Sequence, residues 1–127
     1  MILRDLLRYN TKYYKLGNAM IPMDDYVIVM TTVNDEEHIT RIVNAVIPKK
    51  LAACVNVIPS VMSHYWWKNE VKTDEEFIII MKTKKRLAEK LKVAVLSNHP
   101  YKVAEFVVVP ISDMGSHYQT WIDGVLG

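Results

Sequence analysis

Apolar positions along this chain follow two periods, and where one gives way to the other marks out a series of elements. Tyr26 to Thr32 contains Val27, Ile28, Val29 and Met30, a run too short and too β-branched for a helix, and it predicts a first strand. Asn34 then offers an N-cap, and Asp35, Glu36 and Glu37 load a first turn with the charge a helix start favours. Ile39, Ile42, Val43, Val46 and Ile47 recur at helical spacing, so a helix should run to about Pro48. Ala53 to Ile58 predicts a second strand, interrupted by Pro59 and continued from Val61 to an aromatic tip at Tyr65, Trp66 and Trp67. The polar segment Lys68, Asn69, Glu70 is the natural reversal, and a third strand follows from about Glu76 to Thr83. Leu87, Leu91, Ala94 and Val95 form the stripe of a second helix that stops at Ser97, Asn98, His99, Pro100. Val103 to Val109 predicts a fourth strand. Gly115 and Ser116 then introduce a short closing helix with Tyr118, Trp121, Ile122 and Val125.

Strand, helix, strand, strand, helix, strand is the order of the α+β, ferredoxin-like split βαβ fold. Its antiparallel sheet carries two helices on one face, here with a short C-terminal helix added. The domain spans 26–127. Residues 1–25 read as an appended N-terminal arm, in which Ile2, Leu3, Leu6 and Leu7 make a turn or two of amphipathic helix before tyrosines and Gly17 break the period. Two helices cover one sheet face, yet strands one, three and four are apolar at both parities, the pattern of a sheet buried on both sides. The second face therefore needs a cover, either self-association anchored by Trp66 and Trp67 or the arm and last helix alone.

Composition narrows the function. At 127 residues the chain is sized for one domain, and its single cysteine excludes an internal disulfide, so a reducing compartment such as the cytoplasm is expected. The net charge of +2 is thinly spread, and the cluster Lys82, Lys84, Lys85, Arg86 has Glu75, Glu76 and Glu89 nearby, which argues against a nucleic-acid footprint. No apolar stretch is long enough to span a bilayer, so no membrane partner is expected. The basic, acid-poor first 25 residues faintly resemble a transit peptide but are not Ser-rich, which leaves organelle import as an alternative. No Ser, His, Asp order, nucleotide-binding glycine pattern or P-loop is present, so catalysis is not expected.

Lys50 to Pro59, then Tyr65, Trp66, Trp67, and finally Ser97, Asn98, His99, Pro100, Tyr101 followed by Glu105 and Pro110, resemble the CutA divalent-cation tolerance family in order and spacing, over about Tyr26 to Val125. The resemblance implies a compact homotrimer joined edge to edge through extended hairpins, a link to tolerance of divalent metals including copper, and no settled enzymatic activity. Some members carry further thiols and a second histidine at positions matching Thr31, Ala94 and Asn98, whereas this chain keeps only Cys54 and His99 of that set. Pro48 and Ser60 are local departures, the second where glycine is common.

Cys54 shares a strand face with Asn56 and Ile58, while Ala53, Val55 and Val57 take the other. If the helices cover the alanine and valine face, the thiol points toward a subunit contact, where a soft thiolate suits Cu(I) with an imidazole as partner; the plain alternative is packing. His99 can donate from one ring nitrogen to a carbonyl and leave the other for a metal, or simply satisfy the helix end. Cys54 and His99 are thus the candidate metal ligands, for copper or another divalent cation. Glu105, a carboxylate in an apolar strand, should be paired, with Lys82 as its partner. The leading reading is a trimeric metal-binding tolerance protein. The alternative is a trimeric signalling or scaffold module that binds a small metabolite or nucleotide in an intersubunit cleft through Lys82, Tyr101, Glu105 and Trp66.

Overall fold

The computed structural model describes residues 13–16, 18–22 and 25–127; the apolar turn expected at Ile2 to Leu7 lies outside them. Within the arm, β1 (Tyr13–Leu16) and β2 (Ala19–Pro22) pair antiparallel, Leu16 opposite Ala19 and Tyr13 opposite Pro22. The domain follows as β3 (Tyr26–Val33), α1 (Glu36–Val46), β4 (Cys54–Trp67), β5 (Glu70–Lys84), a 3-10 turn (Lys85–Leu87), α2 (Ala88–Ser97), β6 (Val107–Pro110) and α3 (Ser116–Leu126). The sheet order is β4-β5-β3-β6 with every pair antiparallel, the ferredoxin-like arrangement.

Alternation along β3 and β5 assigns the faces. Val27, Val29, Thr31 and Val33 are fully buried, as are their partners Thr83, Met81 and Ile79, and this face packs on Ile42 and Val46 of α1 and Leu91 and Val95 of α2. The buried threonines are satisfied: Thr31 Oγ1 donates to the Glu105 carbonyl at 2.6 Å and Thr83 Oγ1 to the Leu51 carbonyl at 2.7 Å. The opposite parity, Ile28, Met30, Ile78 and Ile80, is only half-buried. At one corner of this open face lies α3. Gln119 Nε2 donates to Tyr26 Oη at 3.1 Å, Tyr26 Oη donates to Asp123 at 2.8 Å, and Lys84 Nζ meets the same carboxylate at 2.9 Å. The last helix thus covers part of the second face, and Val107 and Val109, which share that face with Met30 and Ile28, still stand 41% exposed.

Several boundaries differ from those the sequence predicts, each for a local reason. The first helix is capped by Asp35, not Asn34: its carboxylate accepts the His38 backbone N–H at 2.8 Å. The same helix closes through Lys50 N–H to the Ile47 carbonyl at 3.0 Å and Leu51 N–H to the Val46 carbonyl at 3.1 Å, with Lys50 left-handed at φ 55°, a Schellman-type ending that encloses Pro48. Pro59 interrupts its strand without ending it, as the sequence predicts. The ladder shifts register between Ile58 and Val61, and Ser60 takes φ 60° there, which is why a glycine suits that position. The hairpin turns on Lys68 and Asn69, both at positive φ (50° and 65°), the geometry of a two-residue turn matched to strand twist. Residues Val103 to Phe106 are not strand, because the pairing of β6 with β3 stops at Val107 opposite Met30 and the preceding chain turns to meet Thr31.

Candidate functional site

The end of α2 places a histidine between the sheet and the loop beyond it. His99 Nδ1 accepts the Tyr101 backbone N–H at 3.1 Å, a donor that cannot reverse, so the ring proton sits on Nε2. Nε2 then donates to the Thr32 carbonyl at 2.9 Å and lies 3.1 Å from Thr31 Oγ1. Burial, ahead of the opposing Thr32 bond, holds this imidazole below its ordinary pKa and keeps it neutral. Both nitrogens are spent on the backbone. The expectation of one nitrogen left free for a metal is therefore corrected: His99 fastens the Tyr101 loop to β3.

Tyr101 carries the arrangement onward. Its ring stands edge-on to His99 with centroids 4.9 Å apart, and its hydroxyl donates to Glu76 Oε2 at 2.6 Å. Burial first, then that bond and the Glu76 charge, raise the phenol well above its usual range. Glu105 is raised too, by burial and then by Glu76. These groups line a cleft of about 1100 Å³ under the β4-β5 hairpin, with Trp66, Asp74 and Lys102 on its other walls. Tyr65 donates to Asp74, and His64 Nδ1 meets Thr73 Oγ1 at 2.9 Å across the same hairpin.

Of the residues assigned to a cleft from sequence, Trp66, Tyr101 and Glu105 come together and Lys82 does not. Lys82 lies opposite Cys54 in the ladder, donates to Asn56 Oδ1 at 3.2 Å and sits 5.7 Å from the Tyr118 ring. The Lys82–Glu105 pair is thus corrected, since Lys82 is at the far end of the sheet and Glu105 makes no ion pair among the described residues. Cys54 is a free, half-exposed thiol whose Sγ donates to Asn56 Oδ1 at 3.3 Å. By the strand alternation it faces the open side of the sheet, whereas the threonine that His99 meets faces the helices. The two candidate ligands therefore lie on opposite faces of the sheet in one chain. No three His, Cys, Asp or Glu side chains among the described residues are grouped to hold a metal, so a single chain does not build a closed site. Sequence reasoning missed Glu76 and Asp74. Glu76 and Asp74 sit in the acidic run Asp74, Glu75, Glu76, which reads as a solvated face until the Tyr101 hydroxyl is seen to meet Glu76.

Comparison with known proteins settles the family. Residues 27–125 match the model of the CutA1 divalent ion tolerance protein. The chain belongs to that family. A rice relative named Protein CutA 1, chloroplastic (Oryza sativa subsp. japonica), is 38% identical over 96 residues, which is 76% of this chain and 54% of the rice protein. The chain thus spans about half the length of that relative. The divalent-cation tolerance protein CutA of Thermus thermophilus is 39% identical over 95 residues, 75% of this chain and 92% of that protein. The crystal structure of CutA1 from Oryza sativa superposes with a TM-score of 0.75 at 36% identity, covering 80% of this chain and 94% of that one. The CutA fold accounts for the sheet order above. Among the described residues no helix is long and apolar enough to cross a membrane.

Proposed function

We propose that this chain is a homotrimeric, non-catalytic divalent-cation tolerance protein, and that the cation it handles, copper foremost, is bound where subunits meet. One juxtaposition carries the reading: the free thiol Cys54 lies on the sheet face that the chain leaves uncovered, in line with half-buried Ile28 and Ile80 and exposed Ile58. A soft thiolate on a face that needs a partner favours Cu(I) over harder cations, and the ligands one chain lacks would come from its neighbours. The hairpin supports the assembly, since Trp66 is 74% exposed beside exposed Met62 and Val71 and would gain most from burial against another copy. A reducing, cytoplasmic setting belongs to the proposal because the thiol binds metal only when reduced.

The test is a titration of Cu(I) and Cu(II) into wild type and Cys54→Ser, with metal stoichiometry counted per subunit, alongside sedimentation at micromolar protein. Trimers that lose Cu(I) in Cys54→Ser support the reading. A monomer, or a stoichiometry untouched by the substitution, overturns it.

A further inference from the structure

His99 and Tyr101 tie three elements together where the long hairpin leaves the body of the sheet. The β3-β5 ladder ends at Val33 opposite Phe77, so from Glu76 outward β5 has β4 on one side and, among the described residues, no strand on the other. The segment after α2 takes that place. It is fixed at one end by His99 Nε2 on the Thr32 carbonyl and at the other by Thr31 Oγ1 on the Glu105 carbonyl, and between these anchors the Tyr101 hydroxyl reaches Glu76. Glu76 is only 6% exposed, so the tie is shielded from water. The backbone of Tyr101 is held by a single side-chain atom, His99 Nδ1, which accepts its N–H at 3.1 Å.

That acceptor exists in only one charge state of the ring. A neutral imidazole accepts at one nitrogen, whereas an imidazolium carries a proton on both. On protonation Nε2 keeps the Thr32 carbonyl, and Nδ1–H is aimed at the Tyr101 N–H, donor against donor. The ring therefore stays on β3 and the Tyr101 backbone is expelled. We propose that residues 100–104 form a proton-operated clasp: neutral His99 holds Tyr101 on Glu76 at the root of the hairpin, and protonated His99 releases it. The clasp uses neither Cys54 nor a metal and does not rest on the reading given above. Burial holds the imidazole below its ordinary pKa, so the clasp is closed at neutral pH and opens as pH falls through that lowered value. Charges reach the ring from two packed elements: His38 of α1, seated on Asp35, disfavours the imidazolium, and Glu76 of β5 favours it. Thr31 and Thr32 of β3 and Asn98 at the end of α2 carry no charge, and Lys102 and Glu105 of the segment itself are exposed.

The experiment is a pH titration of the full chain in its native assembly by heteronuclear NMR, with a chelator present, following the His99 ring and the Tyr101 amide. As the ring protonates, the Tyr101 amide proton should move upfield and lose its protection from exchange at the same midpoint, while the amides of Val29 and Met81, paired within the sheet, stay fixed. His99→Gln can accept and donate but does not titrate, and it should remove both changes. His38→Gln should shift the midpoint upward and leave the transition in place. Tyr101→Phe keeps the backbone N–H and deletes the Glu76 bond, so the closed state is weakened and the midpoint should rise. The proposal is overturned if the ring titrates while the Tyr101 amide stays put, if the sheet amides move with it, if the change persists in His99→Gln or vanishes in His38→Gln, or if Tyr101→Phe leaves the midpoint where it was.

Discussion

Replacing His99 with phenylalanine separates the two roles a histidine at this position can play. The substitution keeps an aromatic ring against Tyr101 and deletes both nitrogens, so two hydrogen bonds disappear, Nε2 to the Thr32 carbonyl (2.9 Å) and Tyr101 N–H to Nδ1 (3.1 Å). At about 1 kcal/mol net for each, the loss is about 2 kcal/mol, and water reaching this half-buried site keeps the orphaned groups from costing their full desolvation. Urea denaturation at fixed protein concentration reads the difference, fixed because an oligomer's midpoint shifts with concentration. A pH series adds a second signature. The folded pKa of His99 lies below its ordinary 6.5, so the unfolded chain takes up the proton first. The stability linked to this ring is therefore complete above that value and is lost as pH falls through the folded pKa. Wild type should lose stability on that descent, and His99→Phe should show a flatter slope over the same window. Metal stoichiometry should not change. A variant within about 0.5 kcal/mol of wild type that has lost a bound copper would refute the structural assignment, since loss of one partnered buried bond alone exceeds that difference.

Two further substitutions test the fold. Ser60→Gly should raise stability by about 0.5–1 kcal/mol in the same assay, because φ 60° at the register shift costs a side chain more than the extra freedom of unfolded glycine does; an unchanged or lower midpoint would count against strain there. Leu91→Ala, at a fully buried position between α2 and the sheet, should cost about 2–5 kcal/mol by lost burial and a residual cavity, and a cost below about 1 kcal/mol would mean the core closes over the gap.

The order of elements could be read from the sequence because it rests on periodicity. Ile42 and Val46 at helical spacing, and the apolar runs of β3 and β5, found the positions predicted for them. The requirement for a cover on the second face also followed from β3 and β5 being apolar at both parities, and α3 meets it only at the Tyr26 corner. What periodicity cannot show is where a loop goes. The fourth strand was predicted to begin at Val103 because valines and phenylalanine continue there, but Thr31 and His99 hold that stretch off the ladder. The β1-β2 pair was missed although Gly17 and Asn18 between two short runs are a two-residue hairpin signal; the adjoining tyrosines looked like a break in helix periodicity. For the site, aromatic and charged residues at Trp66, Tyr101 and Glu105 could be grouped in advance, but Lys82 was assigned by charge complementarity alone. Pairing two residues by charge says nothing about their separation across the sheet. That Cys54 and His99 occupy opposite faces of the sheet within one chain is not legible in advance for a related reason, since residues far apart in sequence carry no statement of which sheet face each occupies.

The outer half of the long hairpin, from Val61 to Trp67 and back through Glu70 to Glu75, reaches past the two helices and has little beneath it in its own chain. Its backbone is paired, yet most of its side chains are exposed in the single chain, and under the proposed trimer they would be buried against another copy. If the proposed trimer forms, amide hydrogens there should exchange rapidly in a dissociated subunit and become protected on assembly, while those of β3 stay slow in both. Subunit exchange would then be limited by the folding of this arm as well as by encounter, so dilution and local melting become one event.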